Sequence, residues 1–266
     1  MALNVQQKLD LLKNLGRPTI NDYIPLVFND FIELHGDRYF SDDPAVLSGI
    51  GLLGDIPVTV ISQVRAKDIE TLQKINFSMP HPEGYRKSIR LAKQAEKFKR
   101  PIICFIDTPG AYCGVGAEER GQGEAIARSL HDFMMLKTPV ISVVLGEGGS
   151  GGALALGVCD ELAMLENALY SVISPKGFAS ILWKDGSRER EAAEILKITA
   201  EDLKRFGVCD QIIAEPDGGA SKDIALTAKN IKTFLVETVN KLMKEDFKSL
   251  PEKRYQKFRK IGVFKE

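Results

Sequence analysis

The residues best suited to chemistry are the seven from Gly146 to Gly152, GEGGSGG, set between the apolar run VISVVL and the small-residue run ALALG. Three chemistries share this text. Gly146, Gly148 and Gly151 spell G-x-G-x-x-G, the dinucleotide-binding pattern. Gly148, Ser150 and Gly152 spell G-x-S-x-G, the nucleophile elbow of serine hydrolases. Read without a motif, the stretch is a strand, a glycine loop and a helix start. The free backbone N–H groups of such a start could hold an oxyanion as it develops.

An elbow serine needs a histidine base that follows it in the chain. The three histidines, His35, His81 and His131, all precede Ser150. Other folds order a triad differently, so this argues against the elbow's own family and not against every serine hydrolase. The dinucleotide pattern normally follows the first strand of its unit, with an acid about 20 residues on. Here a complete strand–loop–helix unit comes first, and Asp160, Glu161 and Glu166 fall short of that position. DTPG resembles the D-x-x-G of GTPases, but no phosphate loop G-x-x-x-x-G-K-[ST] accompanies it.

The backbone reading needs only what is present. Glycines before a helix allow close approach, and the helix dipole adds a positive bias. Gly151 and Gly152 are the expected donors. Five glycines in seven positions exceed what packing of a strand on a helix requires. A second glycine-rich loop, FIDTPGAYCGVGAEERGQGEAIA, supports this reading. Asp107 ends its apolar strand, where ligands bind in open α/β sheets. Gly110, Gly114 and Gly116 make that loop permissive, though Asp107 can equally cap a turn through Thr108 and Gly110.

Positioning these loops takes an α/β chain. Residues 4–18 carry Val5, Leu9, Leu12 and Leu15 at helical spacing, and 21–40 is expected to be helical. AVLSGIGLLGDIPVTVISQV reads as a hairpin turning at GDIP. EGYRKSIRLAKQAEKFKRP is an amphipathic helix with Ile89, Leu91, Ala92, Ala95 and Phe98 on its apolar stripe, and its charges read as a solvated face. IICFID and VISVVL are strands apolar on both faces, with a helix over EERGQGEAIARSLHDFMMLK between them. ELAML and LYSVIS are further strands, PKGFASILW opens a helix with proline in its first turn, and the tail alternates helices with strand-like CDQIIAEP. Doubly apolar strands alternating with helices imply a mostly parallel, covered sheet.

Length and composition fit this. The 266 residues are enough for one large domain, and 44% hydrophobic with 27% charged residues is ordinary for a globular protein. A formal net charge of zero and no basic stripe argue against nucleic acid as a partner. No apolar run is long enough for a membrane span, and the first residues lack the apolar core of a signal peptide. Cys104, Cys113, Cys159 and Cys209 form no C-x-x-C pair, so neither a zinc site nor a disulfide framework is expected, and a reducing cytoplasm is.

The two glycine loops, with YSVISPKGFASILWKD, ELHGDRYFSDDPAVLSGIG, NFSMPHPEGYRKSIRLAK and RYQKFRKIG, resemble the family of carboxyltransferase alpha subunits of bacterial and plastid-type acetyl-CoA carboxylase, in order from Tyr23 to Gly262. The resemblance implies a crotonase-like α/β fold, a spiral of ββα units. It divides the chain into a helical N-terminal segment (1–40), a carboxyltransferase core (41–215) and a helical C-terminal extension (216–266). It implies transfer of a carboxyl group from carboxybiotin, borne by a biotin carboxyl carrier protein, to acetyl-CoA, yielding malonyl-CoA for fatty acid synthesis. The implied partners are a zinc-ribbon beta subunit in an α2β2 assembly, the carrier and biotin carboxylase. By the same resemblance the Gly151 and Gly152 amides donate to the biotin ureido oxygen, with Gly148 and Gly149 as alternatives. Gly110, Ala111 and neighbouring Tyr112, with Asp107, would line the pocket, and this chain would hold no metal. Relatives usually carry proline at Cys113 and glutamate at Lys176, and segment 63–73 diverges from the basic, glycine-containing family version. Arg86, Lys87 and Arg90 are candidate contacts for the carrier or for a coenzyme A phosphate.

Overall fold

A computed structural model describes residues 3–262. Helices α1 (Val5–Lys13) and α2 (Ile20–Val27) lead to strand β1 (Asn29–Glu33) and the hairpin of β2 (Val46–Leu53) and β3 (Ile56–Gln63). There follow α3 (Ile69–Lys74), α4 (Pro82–Lys97), β4 (Ile102–Thr108), α5 (Val115–Glu119), α6 (Gln122–Met135), β5 (Val140–Gly149) and α7 (Ser150–Gly157). Then come β6 (Glu161–Leu165), β7 (Leu169–Ser171), α8 (Pro175–Leu182), α9 (Glu189–Leu196), α10 (Ala200–Arg205) and β8 (Gln211–Ile213). Helices α11 (Ile224–Leu242) and α12 (Leu250–Arg259) complete the described chain.

The sheet runs β1-β2-β3-β4-β5-β6-β8, antiparallel through the first three strands and parallel beyond. Every residue of β4 is buried, as helices on both faces require. Strand β5 forks. Its first half, Ile141–Val144, pairs with β6, and its glycine end, Glu147–Gly149, pairs with β7. Register with β4 slips between Ile106 and Thr108, so the sheet opens where both glycine loops leave it.

One apolar core joins Tyr23 and Val27 of α2, the parallel strands, and Ile231 and Leu235 of α11. Helix α12 is anchored by Arg254, 1% exposed, whose guanidinium donates to Asp160 at 2.8 Å and to the Phe133 carbonyl at 2.6 Å. No described helix is long and apolar enough to cross a membrane.

Three expectations about the elements need correction. Residues 21–40 are not one helix: α2 stops at Val27 and β1 forms the sheet edge. Both faces of β1 are largely exposed, so no period-two pattern marks it, and its register is irregular. The helix expected from Glu118 onward is broken at Gly121, whose φ of 80° separates α5 from α6. Phe98 lies beyond the apolar stripe of α4 and is 59% exposed.

Three charges of α4, Arg86, Lys87 and Arg90, are neither part of the solvated face that Lys93 and Lys97 form nor free for a phosphate. Arg86 Nε donates to Asp37 Oδ2 at 2.8 Å, Lys87 is buried and donates to the Asp43 carbonyl at 2.9 Å, and Arg90 Nε donates to the Gly36 carbonyl at 3.0 Å. They fasten the 35–43 loop to the helix.

Candidate functional site

Strand β5 continues through the glycines, and α7 begins at Ser150. Gly149 is its N-cap and no side chain caps the turn. The first-turn N–H groups therefore lack both intrahelical and side-chain partners. The glycines are explained by contact. A Cβ on Gly149 would lie 2.1 Å from the Pro109 carbonyl oxygen, and one on Gly152 would lie 2.5 Å from Ala111 N. The two loops thus interlock backbone against backbone, tighter than any side chain permits. Gly151 differs: a Cβ there would meet only Ile126, at 3.6 Å.

Across this contact, Gly110 holds φ at +152°, a glycine conformation, and its missing Cβ would face open space. Thr108 Oγ1 accepts from the Gly110 N–H at 3.1 Å and lies 2.6 Å from the Ser78 carbonyl oxygen, to which it can donate. Ala111 is half-buried beside Gly152. Tyr112 lines neither of the clefts beside the α7 turn and packs over Gly114 of its own loop. Its ring stacks on His81 at 4.4 Å and 16°, and its N–H donates to the Pro80 carbonyl at 3.1 Å.

Asp107 is where the sequence puts it, at the end of β4, but its carboxylate is not offered to a ligand. It is 1% exposed and gripped by Arg17, with Nη2 to Oδ1 at 2.5 Å and Nη1 to Oδ2 at 2.8 Å. Oδ1 also accepts the Glu147 N–H at 3.1 Å. Asp107 is thereby a support for the glycine loop. Gln63 is a second one. Fully buried, it accepts the Asp107 N–H at 3.2 Å and donates to the Gly152 carbonyl at 2.7 Å, tying β4 to the first turn of α7. Arg65 Nη1 donates to Glu147 Oε2 at 2.8 Å. Segment 63–73 therefore enters the site through Gln63 and Arg65, and its residues 67–70 are exposed.

Ser150 has φ of +52° at a sharp strand-to-helix turn, as an elbow serine would. No base accompanies it. His35 Nδ1 contacts Asp42, His131 Nδ1 contacts Asp132, and His81 Nδ1 lies 2.8 Å from Arg120 Nη2. Burial, then the Arg120 charge, lowers the His81 pKa against the pull of Glu83. That leaves the imidazole neutral, accepting from Arg120.

Two clefts meet at this turn. A wider one of about 270 Å³ is walled by Ser150, Gly151, Leu154, Tyr170, Val172 and Leu203. A narrower one of about 50 Å³ is lined by Pro109, Gly148, Gly149, Ser150, Ser171 and Ser174. Gly148, Gly149 and Gly151 therefore reach cleft walls, whereas Gly152 is buried against Gly110 and Ala111. Cys113 is exposed on the second loop, and Lys176 is exposed in the first turn of α8 behind the Ser174 cap. Among the described residues no group of three His, Cys, Asp or Glu side chains is arranged to hold a metal.

Arg17, Gln63, Arg65 and the left-handed Ser150 were not legible as site residues. Each stands alone in the sequence, far from its partners, and only the GxSxG spacing drew attention to Ser150.

Comparison with known proteins agrees with this architecture. A family described as "Acetyl co-enzyme A carboxylase carboxyltransferase-like" matches residues 1–262. The acetyl-coenzyme A carboxylase carboxyl transferase subunit alpha of Clostridium acetobutylicum is 56% identical over 98% of this chain and 95% of its own length. The "subunits beta/alpha" protein of Clostridium tetani is 55% identical over 99% of this chain, which spans 46% of that longer protein. Among solved structures, transcarboxylase 12S has a TM-score of 0.67 at 18% identity, covering 89% of this chain and 45% of its own. A Pseudomonas malonate decarboxylase hetero-tetramer has a TM-score of 0.64 at 17% identity, over 80% and 85%. These distant likenesses carry the crotonase-like carboxyltransferase fold, and the near-complete sequence matches carry the relationship: the chain belongs to the acetyl co-enzyme A carboxylase carboxyltransferase-like family.

Proposed function

We propose that this chain is the alpha subunit of an acetyl-CoA carboxylase carboxyltransferase. It receives carboxybiotin from a biotin carboxyl carrier protein and, with a beta subunit, passes the carboxyl group to acetyl-CoA, forming malonyl-CoA for fatty acid synthesis. The observation that carries the assignment of this half of the site is the uncapped first turn of α7 opening on a cleft. Gly151, with Gly152, donates backbone N–H groups to the biotin ureido oxygen, where negative charge gathers as the carboxyl group departs. Gly148 and Gly149 line the adjoining cleft, and the Gly110–Ala111 backbone braces Gly152 from behind. Leu154, Tyr170 and Val172 supply an apolar wall suited to a bicyclic ring and exclude water, which strengthens each donor. Biotin is thus a substrate carried in by another protein.

The fused beta/alpha relative supports a beta subunit as partner; that this subunit bears a zinc ribbon and that the assembly is α2β2 are part of the proposal. Biotin carboxylase would recharge the carrier, in the cytoplasm. Segments 1–40, 41–215 and 216–266 are proposed as N-terminal segment, carboxyltransferase core and helical C-terminal extension.

The test is malonyl-CoA-dependent carboxylation of biocytin by the chain alone and mixed with a zinc-ribbon beta subunit. Transfer only in the mixture is expected. Transfer by the chain alone would mean that it holds both substrates, and silence in both would overturn the assignment.

A further inference from the structure

The stretch from Gly146 to Gly152 contains five glycines, yet none of them has positive φ. The one left-handed residue is the serine, at +52°. Sequence economy would place glycine there, because an L side chain in that region is disfavoured and glycine is not. Gly146, Gly148, Gly149 and Gly152 are already accounted for where the chain touches Arg17, Tyr170, Pro109 and Ala111. Ser150 has no such account. It is exposed, and no hydrogen bond to another described residue engages its Oγ. It is also one of the two residues, with Ser171, common to both clefts, and it adjoins the Gly151 amide.

We propose that the Ser150 hydroxyl is a third donor to the biotin ureido oxygen, alongside the α7 amides, and so a catalytic residue of this chain. This rests on the carboxyl-transfer reading above. No histidine is placed to activate Ser150 as a nucleophile, each being held elsewhere by Asp42, Arg120 or Asp132. A donor role needs no base, since the hydroxyl keeps its proton throughout. It tightens its hydrogen bond as charge appears on the oxygen, so its effect belongs to the transition state. The left-handed backbone sets Ser150 at the start of α7, on the wall that the two clefts share.

The test is a pair of variants, Ser150→Gly and Ser150→Ala, each assembled with a beta subunit and assayed for malonyl-CoA-dependent carboxylation of biocytin. Both lose the hydroxyl, but only glycine relieves the backbone. Loss of a hydrogen bond to a charged oxygen predicts a fall in kcat of about 10- to 100-fold in both. KM for biocytin should hold within about twofold, as for a contact made only in the transition state. The thermal midpoint of Ser150→Gly should rise above wild type while its activity falls, a divergence that a structural serine would not produce. Wild-type kcat in Ser150→Gly overturns the proposal and leaves the carboxyl-transfer reading standing. So does a loss of activity that tracks a lowered midpoint in both variants. No transfer by the wild-type mixture overturns the reading itself, and this proposal falls with it.

Discussion

Arg17 and Asp107, ninety positions apart, form a two-pronged ion pair at 2.5 and 2.8 Å in which neither side chain is appreciably exposed. Through it the loop after α1 holds the end of β4, and Asp107 in turn holds the Glu147 N–H at the start of the glycine run. The guanidinium also fills the space that a side chain at Gly146 would need, 2.5 Å from an ideal Cβ. The N-terminal segment is therefore structurally part of the glycine loop.

Breaking the pair from one side leaves a buried charge alone. Arg17→Met or Asp107→Leu should each destabilise the fold by about 3–5 kcal/mol in denaturant titration. The double variant Arg17→Met/Asp107→Leu should lie closer to wild type than either single variant, because no unpaired ion remains. Additive losses would show that the two side chains are not coupled.

Gln63 spans the same two elements with one amide, so its two ends can be separated chemically. Gln63→Glu keeps size and the acceptor toward Asp107 N–H but replaces the donor to the Gly152 carbonyl with a second oxygen. Carboxyl transfer should fall at least about tenfold, and stability by about 1–3 kcal/mol, the penalty for a buried group left unmatched. Unchanged kcat in a folded Gln63→Glu complex would remove Gln63 from the positioning machinery.

How much of this was readable in advance follows from what each element advertises. Strands β4 and β5 are runs of buried aliphatic residues, and proline and serine mark the start of α8, so local composition reveals them. The glycine loops were visible because their chemistry is contiguous. Strand β1 was not, since it is exposed on both faces and follows a helix that carries Pro25 inside it. Arg17, Gln63 and Arg65 act through partners 44 to 90 positions away, and a single polar residue in sequence does not announce its partner. The sense of Asp107 was reversed for the same reason: a carboxylate at a strand end looks available until its arginine is found.

The two glycines proposed as donors should respond differently to the smallest side chain. Gly152→Ala would drive a methyl group to within 2.5 Å of Ala111 N and 2.6 Å of Gly110 C, both backbone atoms that cannot swing aside. Loop 109–111 must move, so stability should drop by about 1–3 kcal/mol, as for overpacking, with transfer nearly lost. Gly151→Ala meets nothing closer than 3.6 Å and should fold with wild-type stability. Any activity it loses is then due to crowding at the cleft. Melting curves of the two variants decide this, and equal midpoints would contradict the interlock.

Asp42 and Asp43 are neighbours with opposite ionisation behaviour. Burial raises Asp42, but hydrogen bonds from Lys87, the Gly36 N–H and His35 prevail and hold it at about 2. Burial also raises Asp43, and there it wins: N–H groups of Ala45 and His81 leave it at about 6. A carboxyl group whose pKa is higher folded than unfolded binds its proton more tightly in the native state. Its contribution is present below about pH 4 and is lost as pH rises to about 6, on the order of 3 kcal/mol in all. Asp42 acts in the reverse sense, stabilising above about pH 4 and failing as pH falls toward 2. Because Asp43 receives the His81 N–H, and His81 stacks on Tyr112 of the second loop, this titration reaches the edge of the site. Denaturant midpoints measured from pH 4 to 6 should decline less steeply in Asp43→Asn than in wild type, whatever the absolute stability of the variant. An unchanged slope would place the proton elsewhere, with half-buried Asp160 and Glu215, both raised by desolvation, as the groups left to carry it.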